Sequence, residues 1–546
     1  LSTNGRIAFD SGFGLGRFWT ERQSTYELVS RAGRADRYIS YLESSFFGSS
    51  ISSDEEVDRR VDVLGNIIYS RRFEDHTIRL QVGANASIQR ILARLPYNSV
   101  LFLGRANYSY KNRYNVEANA SYRGSENFAP GRRFGLFPSL SVSWNIHEES
   151  FMESLSFVDV MKFRASYGKT GNDYAGTRFI YKEGKWTTGT DGYSYFGYTT
   201  GASLGYTFEP AIANPLATWE TAEQINFGLD LSLFSNRLNI VLDRFYESRE
   251  GILQTPRSIS GIVGADAPDL NIGETSRNGY EIEVGFNTEL ARDLRLSLRP
   301  NIAFVTNKVV FRDEPADQEW WQKQEGKPIG QFFGYEVIGF FKDQAEIDNA
   351  PVQQAGTVPI PGDLRYVDYN MDGVVDTYDR VPIGHTTMPR YTYGATLGLD
   401  YKGFEVNVHF QGTSQASIFL SSFVMYEFYN RGKVQDIHLG RWTPATHETA
   451  TYPALHIGGT SQNNLQNSFF IKDRSYLRLK TGEIAYTLKP EAARKLGLKG
   501  LRFYVSGVNL ITWDKLKVLD PETSSGTTES VYPQAKTYSV GLNLNF

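Results

Sequence analysis

The sequence predicts an all-β fold, a transmembrane antiparallel β-barrel, and three observations carry that expectation. About 16 segments alternate apolar and polar side chains with the period of two that a two-faced sheet requires. Between them, short turns and long loops follow one another almost without exception, the rhythm of a membrane barrel and not of a soluble domain. Aromatic residues make up 14% of the chain, with 33 Tyr and 35 Phe, enough to supply interfacial girdles. No stretch of 18 apolar residues occurs, so no segment reads as a membrane-crossing helix.

Taken in order, Arg6 to about Trp19 is a glycine-rich first strand, and the stretch through Asp58 is polar and mixed. Val61 to Phe73 and Thr77 to Ile88 form a hairpin about Glu74, Asp75 and His76. A second hairpin turns at Lys111, Asn112 and Arg113; its return strand sets Tyr114, Val116, Ala118, Ala120 and Tyr122 on one face. Asn115, Glu117, Asn119 and Ser121 fall on the other. Leu140 to Ile146 and Met161 to Tyr167 follow. Ile225 to Leu233 turns at Phe234 to Arg237 into Leu238 to Leu242, and Tyr280 to Phe286 returns across Leu290 to Asp293 as Leu294 to Leu298. Leu397 to Tyr401 turns at Lys402 and Gly403 into Phe404 to Phe410. Tyr476 to Leu488 and Leu501 to Leu510 flank a basic segment expected to hold a helical turn or two. In the last strand Tyr538, Val540, Leu542, Leu544 and Phe546 share a face, and ten such residues suffice to cross a bilayer at a tilt. A chain ending on the aromatic of such a strand resembles the closing strand of bacterial outer-membrane barrels, so these five residues are the expected closing and assembly signal.

With that end periplasmic, counting back places every long loop outside: Arg123 to Phe137, Lys169 to Thr221, Glu247 to Asn278, Asn307 to Arg390, Gly412 to Arg474 and Ile511 to Lys536. A net charge of −4 gives no reason to invoke nucleic acid. Cysteine is absent, which fits a reducing compartment or a barrel that needs no staples. The first residues show neither a basic segment nor an apolar one, so the expectation is a mature or truncated chain.

The sharpest local motif is a calcium-loop spacing: Asp368, Asn370 and Asp372 supply side-chain oxygens, Gly373 the turn, Val374 a carbonyl, and Asp376 and Asp379 further carboxylates. Structural Ca²⁺ is therefore the one cofactor expected. Asp replaces the usual Glu at the last position, and the plain alternative is an Asp/Asn turn held by its own side chains. Gly12, Gly14 and Gly16 lack the spacing of a dinucleotide loop, and His147 and His447 lack a second ligand at useful spacing. No nucleophile elbow, phosphate loop or HExxH occurs, so no enzyme is expected. Trp186, Tyr193, Tyr195 and Tyr198, on a long external loop, are the candidates for stacking on substrate, the alternative being an interfacial girdle. Lumen-facing Glu117, Asp230, Glu281, Glu283, Glu405 and His409 would line a channel or hold a plug.

Several stretches resemble the SusC/RagA family of TonB-dependent outer-membrane transporters: Phe137-Pro138-Ser139 with Trp144, and Lys162 through Tyr167-Gly168 to Thr170-Gly171-Asn172. Trp219-Glu220 with Gly228-Leu229-Asp230, Asn271-Ile272-Gly273-Glu274 with Asn278-Gly279-Tyr280-Glu281, and Glu325-Gly326-Lys327-Pro328-Ile329-Gly330 with Gly334-Tyr335 are similar in turn. Ser475-Tyr476-Leu477-Arg478-Leu479-Lys480, Val508-Asn509-Leu510 and Asp520-Pro521-Glu522 complete the series. The resemblance implies that residues 1–546 are the C-terminal part of a barrel of about 22 strands, with 307–390 a long extracellular loop carrying the 368–379 segment. It further implies an outer-membrane importer of oligosaccharides or peptides in a Gram-negative, Bacteroidota-like bacterium. Its partners would be a SusD-like lipoprotein, the TonB complex through an N-terminal part, outer-membrane lipid or lipopolysaccharide, and the barrel assembly machinery. The alternative is a SusC-like barrel recruited as a structural or assembly subunit of a larger outer-membrane complex.

Overall fold

The computed structural model describes residues 2–14, 26–29, 37–40, 56–91, 95–174, 176, 178–182, 187–189, 206–208, 212–259, 262, 267–422, 425–429, 432–457, 461–523 and 534–546. Its frame is one 16-stranded sheet in which every strand pairs antiparallel with its sequence neighbour in the sheet. The strands are β1 (Ser2–Gly14), β2 (Glu56–Phe73), β3 (His76–Ile91), β4 (Tyr97–Tyr110), β5 (Tyr114–Ser125), β6 (Phe134–Asn145), β7 (Val158–Asn172) and β8 (Glu220–Leu233). They continue as β9 (Leu238–Gln254), β10 (Leu270–Ala291), β11 (Leu294–Phe311), β12 (Tyr391–Tyr401), β13 (Phe404–Ser414), β14 (Tyr476–Thr487), β15 (Gly500–Asp514) and β16 (Thr537–Asn545). Each expected strand is present. Among the described residues β1 and β16 are the free edges.

The tight turns fall where turn chemistry put them. Glu74, Lys111, Asn112, Phe234, Ser235, Asn236, Asp293 and Lys402 all have positive φ, and Gly403 follows at +91°. Two-residue hairpin links need this left-handed backbone to match the twist of their strands. Pro490–Lys495 forms the short helix expected between β14 and β15.

One face of the sheet is apolar and exposed: Val63, Ile67, Leu80, Val82, Val116, Leu140, Phe227, Leu242, Leu397, Ile484 and Val505 all lie on it. At the short-turn end, rings stack from strand to strand. Phe73 meets His76 at 5.2 Å, His76 meets Tyr110 at 5.0 Å, Tyr110 meets Tyr114 at 6.5 Å and Tyr114 meets Trp144 at 6.4 Å. Phe404 and Tyr486 continue the belt at 4.6 Å. A second belt lies toward the long loops, where Tyr122 stacks on Phe134 at 5.0 Å and Phe304 joins Tyr280 and Tyr391 at 5.2 and 4.8 Å. Tyr114 and Tyr122 are eight strand steps apart, about 20 Å along the membrane normal at a barrel strand's tilt. That is close to the height of the apolar band of an outer-membrane barrel.

The strands outrun the expected boundaries. The glycine-rich first strand runs from Ser2 to Gly14, since Gly14 is still in register with Glu56; the rest of the expected span, residues 15–19, lies outside the described residues. β10 has 22 residues and starts at Leu270, so the segment expected as a loop from Glu247 to Asn278 is largely a hairpin rising beyond the bilayer. Its pairing shifts register at Ile252, beside Gly251 at φ +67°, and a bulge lets the extra length bend. The loop expected from Arg123 to Phe137 shrinks to residues 126–133.

Candidate functional site

The two longest outer loops are not irregular. Residues 312–390 and 415–475 carry four short pairings of their own: Phe332–Gly334 with Val381–Ile383, Val337–Phe340 with Leu364–Tyr366, Val352–Gln353 with Val374–Val375, and Ser417–Phe419 with Ile471–Asp473. They share one apolar core, built by Tyr335, Leu364, Tyr366 and Val375 of the first loop, Ile418, Leu420, Met425, Tyr452 and Phe470 of the second, and Leu516 from the loop after β15. Burying such side chains contributes about 1.5–3 kcal/mol each, so the loops stabilise each other as a module.

Buried amides weld the two loops. Asn463 accepts from the Leu364 N–H at 2.9 Å and donates to Asp363 at 2.9 Å, and Gln462 donates to the Leu364 carbonyl at 3.1 Å. Asn467 donates to the Tyr366 hydroxyl and accepts the N–H groups of Phe469 and Phe470. Asp363, fully buried, faces Nε2 of His456 at 2.6 Å. Burial pushes the phenols of Tyr366 and Tyr452 far up, and that of Tyr426 to about 12, so all three are neutral at physiological pH.

The module is fastened to the barrel wall at β14. Arg478 is 1% exposed, bonds Asp520 at 2.6 Å and Glu522 at 3.0 Å, and donates from Nε to the Thr512 hydroxyl. The Tyr476 hydroxyl and the Gln411 amide both donate to Glu522, and Arg474 donates to the Pro521 carbonyl. Burial would raise the Glu522 carboxyl, but the Tyr476 hydrogen bond and the charges of Arg478 and Lys480 outweigh it and hold the group below the usual range.

The polar face of the wall is laced with ion pairs across strands. Glu117 pairs with Arg105, Arg164 bridges Asp230 at 2.8 Å and Asp243 at 3.0 Å, and Arg502 bridges Glu405 at 2.8 Å and Glu483 at 2.6 Å. His409 shares a hydrogen bond with Thr396. These groups sit on the face opposite the aromatic belts, which makes a fixed and hydrated lumen wall.

At the outer rim, Phe128, Phe137, Ala217 and Trp219 form a second buried cluster. Phe137 meets Trp219 edge-on at 5.2 Å, and the Trp219 indole N–H donates to the Arg133 carbonyl. The ring of Phe137 covers Gly135 and Gly171 so closely that a Cβ on either would overlap it. Nearby, Asn271 pairs its side-chain amide with both the N–H and the carbonyl of Thr218, as a strand neighbour would. Motif residues far apart in sequence thus meet in packing contacts.

The acidic turn closes on itself. Asp368 accepts the Gly373 N–H at 2.9 Å, Asp372 accepts the Val374 N–H at 2.9 Å, and Gly373 has φ +90°, as a calcium loop's turn would. Asp379, however, spends its oxygens on the N–H groups of Tyr369 and Asp376, capping the turn Thr377–Asp379. Asp368 Oδ1 is buried without a partner. Among the described residues no three His, Cys, Asp or Glu side chains gather as metal ligands. An ion at Asp368, Asn370, Asp372, Val374, Asp376 and Asp379 would require Asp376 and Asp379 to turn from backbone amides toward it.

The family described as TonB dependent receptor-like, beta-barrel matches residues 2–510. The chain belongs to that family. TonB-dependent receptor P26 of Formosa agariphila is 28% identical over 474 residues, covering 82% of this chain and 46% of that protein. TonB-dependent receptor SusC of Bacteroides thetaiotaomicron is 26% identical over 457 residues, covering 82% and 44%. The chain therefore spans about half the length of the curated relatives it matches. Among solved structures, the RagAB peptide transporter superposes with a TM-score of 0.68 at 20% identity, covering 90% of this chain and 56% of that one. The likeness establishes the fold: a TonB-dependent receptor barrel wall of the Gram-negative outer membrane, with the long loops at the outer end.

In this TonB-dependent receptor barrel the candidates Trp186, Tyr193, Tyr195 and Tyr198 lie outside the described residues. Tyr538, Val540, Leu542 and Leu544 lie exposed along the edge strand β16, with Phe546 just beyond its end. Sequence reasoning missed Glu427, Asp363, His438 and His456, all in the module. Asp363 and His456 meet across the two loops, while Glu427 bonds Tyr452 and His438 faces the Met425 carbonyl within the second, at spacings that no local motif marks.

Proposed function

We propose that this chain is the C-terminal barrel part of a SusC-like importer that takes up oligosaccharides or peptides, energised by TonB and working with a SusD-like surface lipoprotein. The carrying observation is the module: the two longest outer loops are packed into one body, and the loop after β15, which adds Leu516 to its core, ties it to the wall through Arg478. Such a body is a platform for a lid partner, and binding residues belong on loops that a rigid scaffold holds. The likeness to SusC and to the RagAB structures supports the same reading. The polar, ion-paired lumen wall suits hydrated solutes. The test is uptake of labelled oligosaccharide and peptide pools by cells carrying or lacking the full-length gene, with and without TonB. One pool should lose TonB-dependent uptake on deletion. Unchanged uptake of both would overturn the proposal.

Calcium at residues 368–379 belongs to the same proposal, supported by the Gly373 and Val374 hydrogen bonds and the orphaned Asp368 oxygen. The expected affinity is that of extracellular modules, about 10⁻⁴–10⁻³ M. Millimolar Ca²⁺ should slow amide exchange in this turn relative to chelator, and Asp368→Asn should abolish the difference. Exchange indifferent to Ca²⁺ would leave the self-capped turn as the whole account.

A further inference from the structure

Several arginines of the wall pair with acids on the lumen face. Arg60 bonds Asp62, Arg105 bonds Glu117, and Arg164, Arg249 and Arg502 each bridge two carboxylates. Arg59 on β2 and Arg90 on β3 are directly opposite in the pairing register, both exposed, and neither has an acidic partner among the described residues. Strand alternation sets them on the lipid-facing side, in line with Val61 and Val63 on β2 and with Ala86 and Ile88 on β3. Like charges directly opposite across a strand pair repel unless an anion lies between them. Among the described carboxylates nearby, Asp58 faces the lumen with Gln89, and Glu126 pairs with Arg178 and Asn98.

Their height is as telling as their isolation. Beyond the short turn at Glu74 and Asp75, the lipid-facing stripe of β3 reads Ile78, Leu80, Val82, Ala84, Ala86, Ile88 and then Arg90. Ile78 to Ile88 is ten strand steps, about 33 Å along the strand and about 25 Å along the normal at a 40° tilt. The arginine pair therefore stands where the hydrocarbon ends on the long-loop side, at the level of outer-leaflet headgroups. Arginine forks suit phosphate oxygens bidentately, and two forks about 5 Å apart at their roots can share one phosphate.

We propose that Arg59 and Arg90 together bind the phosphate of an outer-leaflet lipid headgroup, clamping one annular lipid to the β2–β3 hairpin. The inference rests on the barrel's orientation in the outer membrane and not on what the barrel transports. It is tested on the full-length protein in phosphatidylcholine nanodiscs doped with diphosphorylated lipid A, by counting retained lipid in native mass spectrometry. R59Q/R90Q should weaken retention about tenfold relative to the parent, while R71Q, a lipid-facing arginine at the opposite end, should not. Heat-dependent gel mobility reports whether each variant is folded. Equal retention by folded R59Q/R90Q would overturn the site. So would equal retention of dephosphorylated lipid A, or displacement of the lipid by inorganic phosphate alone, which would mark a free-anion site.

Discussion

Arg478→Leu is expected to destabilise the outer module by about 3 kcal/mol, at the lower end of the cost of removing one partner from a buried ion pair. The side chain is 1% exposed and answers two carboxylates and a hydroxyl at once. Asp520 and Glu522 are about one-fifth exposed and can regain water, which keeps the cost from rising further. The loss should be local. Amide exchange should quicken across 515–523 and along the Leu516 side of the module core, while the hairpins of β2 to β5 keep their protection. Acid should mimic the variant. The Glu522 carboxyl is held below its usual value, so its contribution is fully present above the ordinary carboxylate pKa and is lost as pH falls through the depressed folded value. In Arg478→Leu much of that pH dependence should vanish. A variant with unchanged exchange in 515–523 would refute the lock.

Trp219→Ala is expected to cost about 3–5 kcal/mol, the usual range for truncating a buried aromatic. Trp219 fills the outer-rim cluster against Phe128 and Phe137, and its indole N–H is the partner of the Arg133 carbonyl. Denaturant unfolding in detergent should show the shift, and Gly171→Val should reproduce much of it from the other side by displacing the Phe137 ring. A Trp219→Ala barrel unfolding at the parental midpoint would remove the cluster from the account.

The strand frame was legible because membrane barrels impose a strict period. Lipid on one side and water on the other leave alternation such as Tyr114 to Tyr122 little freedom, and each short turn must supply left-handed backbone, as Asn236 and Lys402 do. The extension of β9 to β11 beyond the bilayer was hidden because the two-sided pressure ends there, and residues such as Asn271 hold register through side-chain amides instead. The module core was hidden for a related reason. Tyr335, Ile418, Tyr452 and Leu516 come from loops with no shared period, and only the folded topology brings them together. Of the site candidates, the acidic turn showed its fold in its spacing. Its hydrogen bonds, with Asp379 turned to the backbone, follow from the following 3₁₀ turn, whose cap needs that carboxylate.

These 546 residues hold no cysteine, so single cysteines placed in them make the central claim directly measurable once any cysteine elsewhere in the full-length protein is replaced by Ser. Single cysteines at Val358, exposed in the first module loop, and at Arg237, exposed in the short turn between β8 and β9, can be offered a membrane-impermeant maleimide on intact cells. The account predicts labelling of Val358→Cys in intact cells and of Arg237→Cys only after the outer membrane is permeabilised. Equal labelling of Arg237→Cys in intact cells would contradict a barrel wall that carries its packed loop module on the outside.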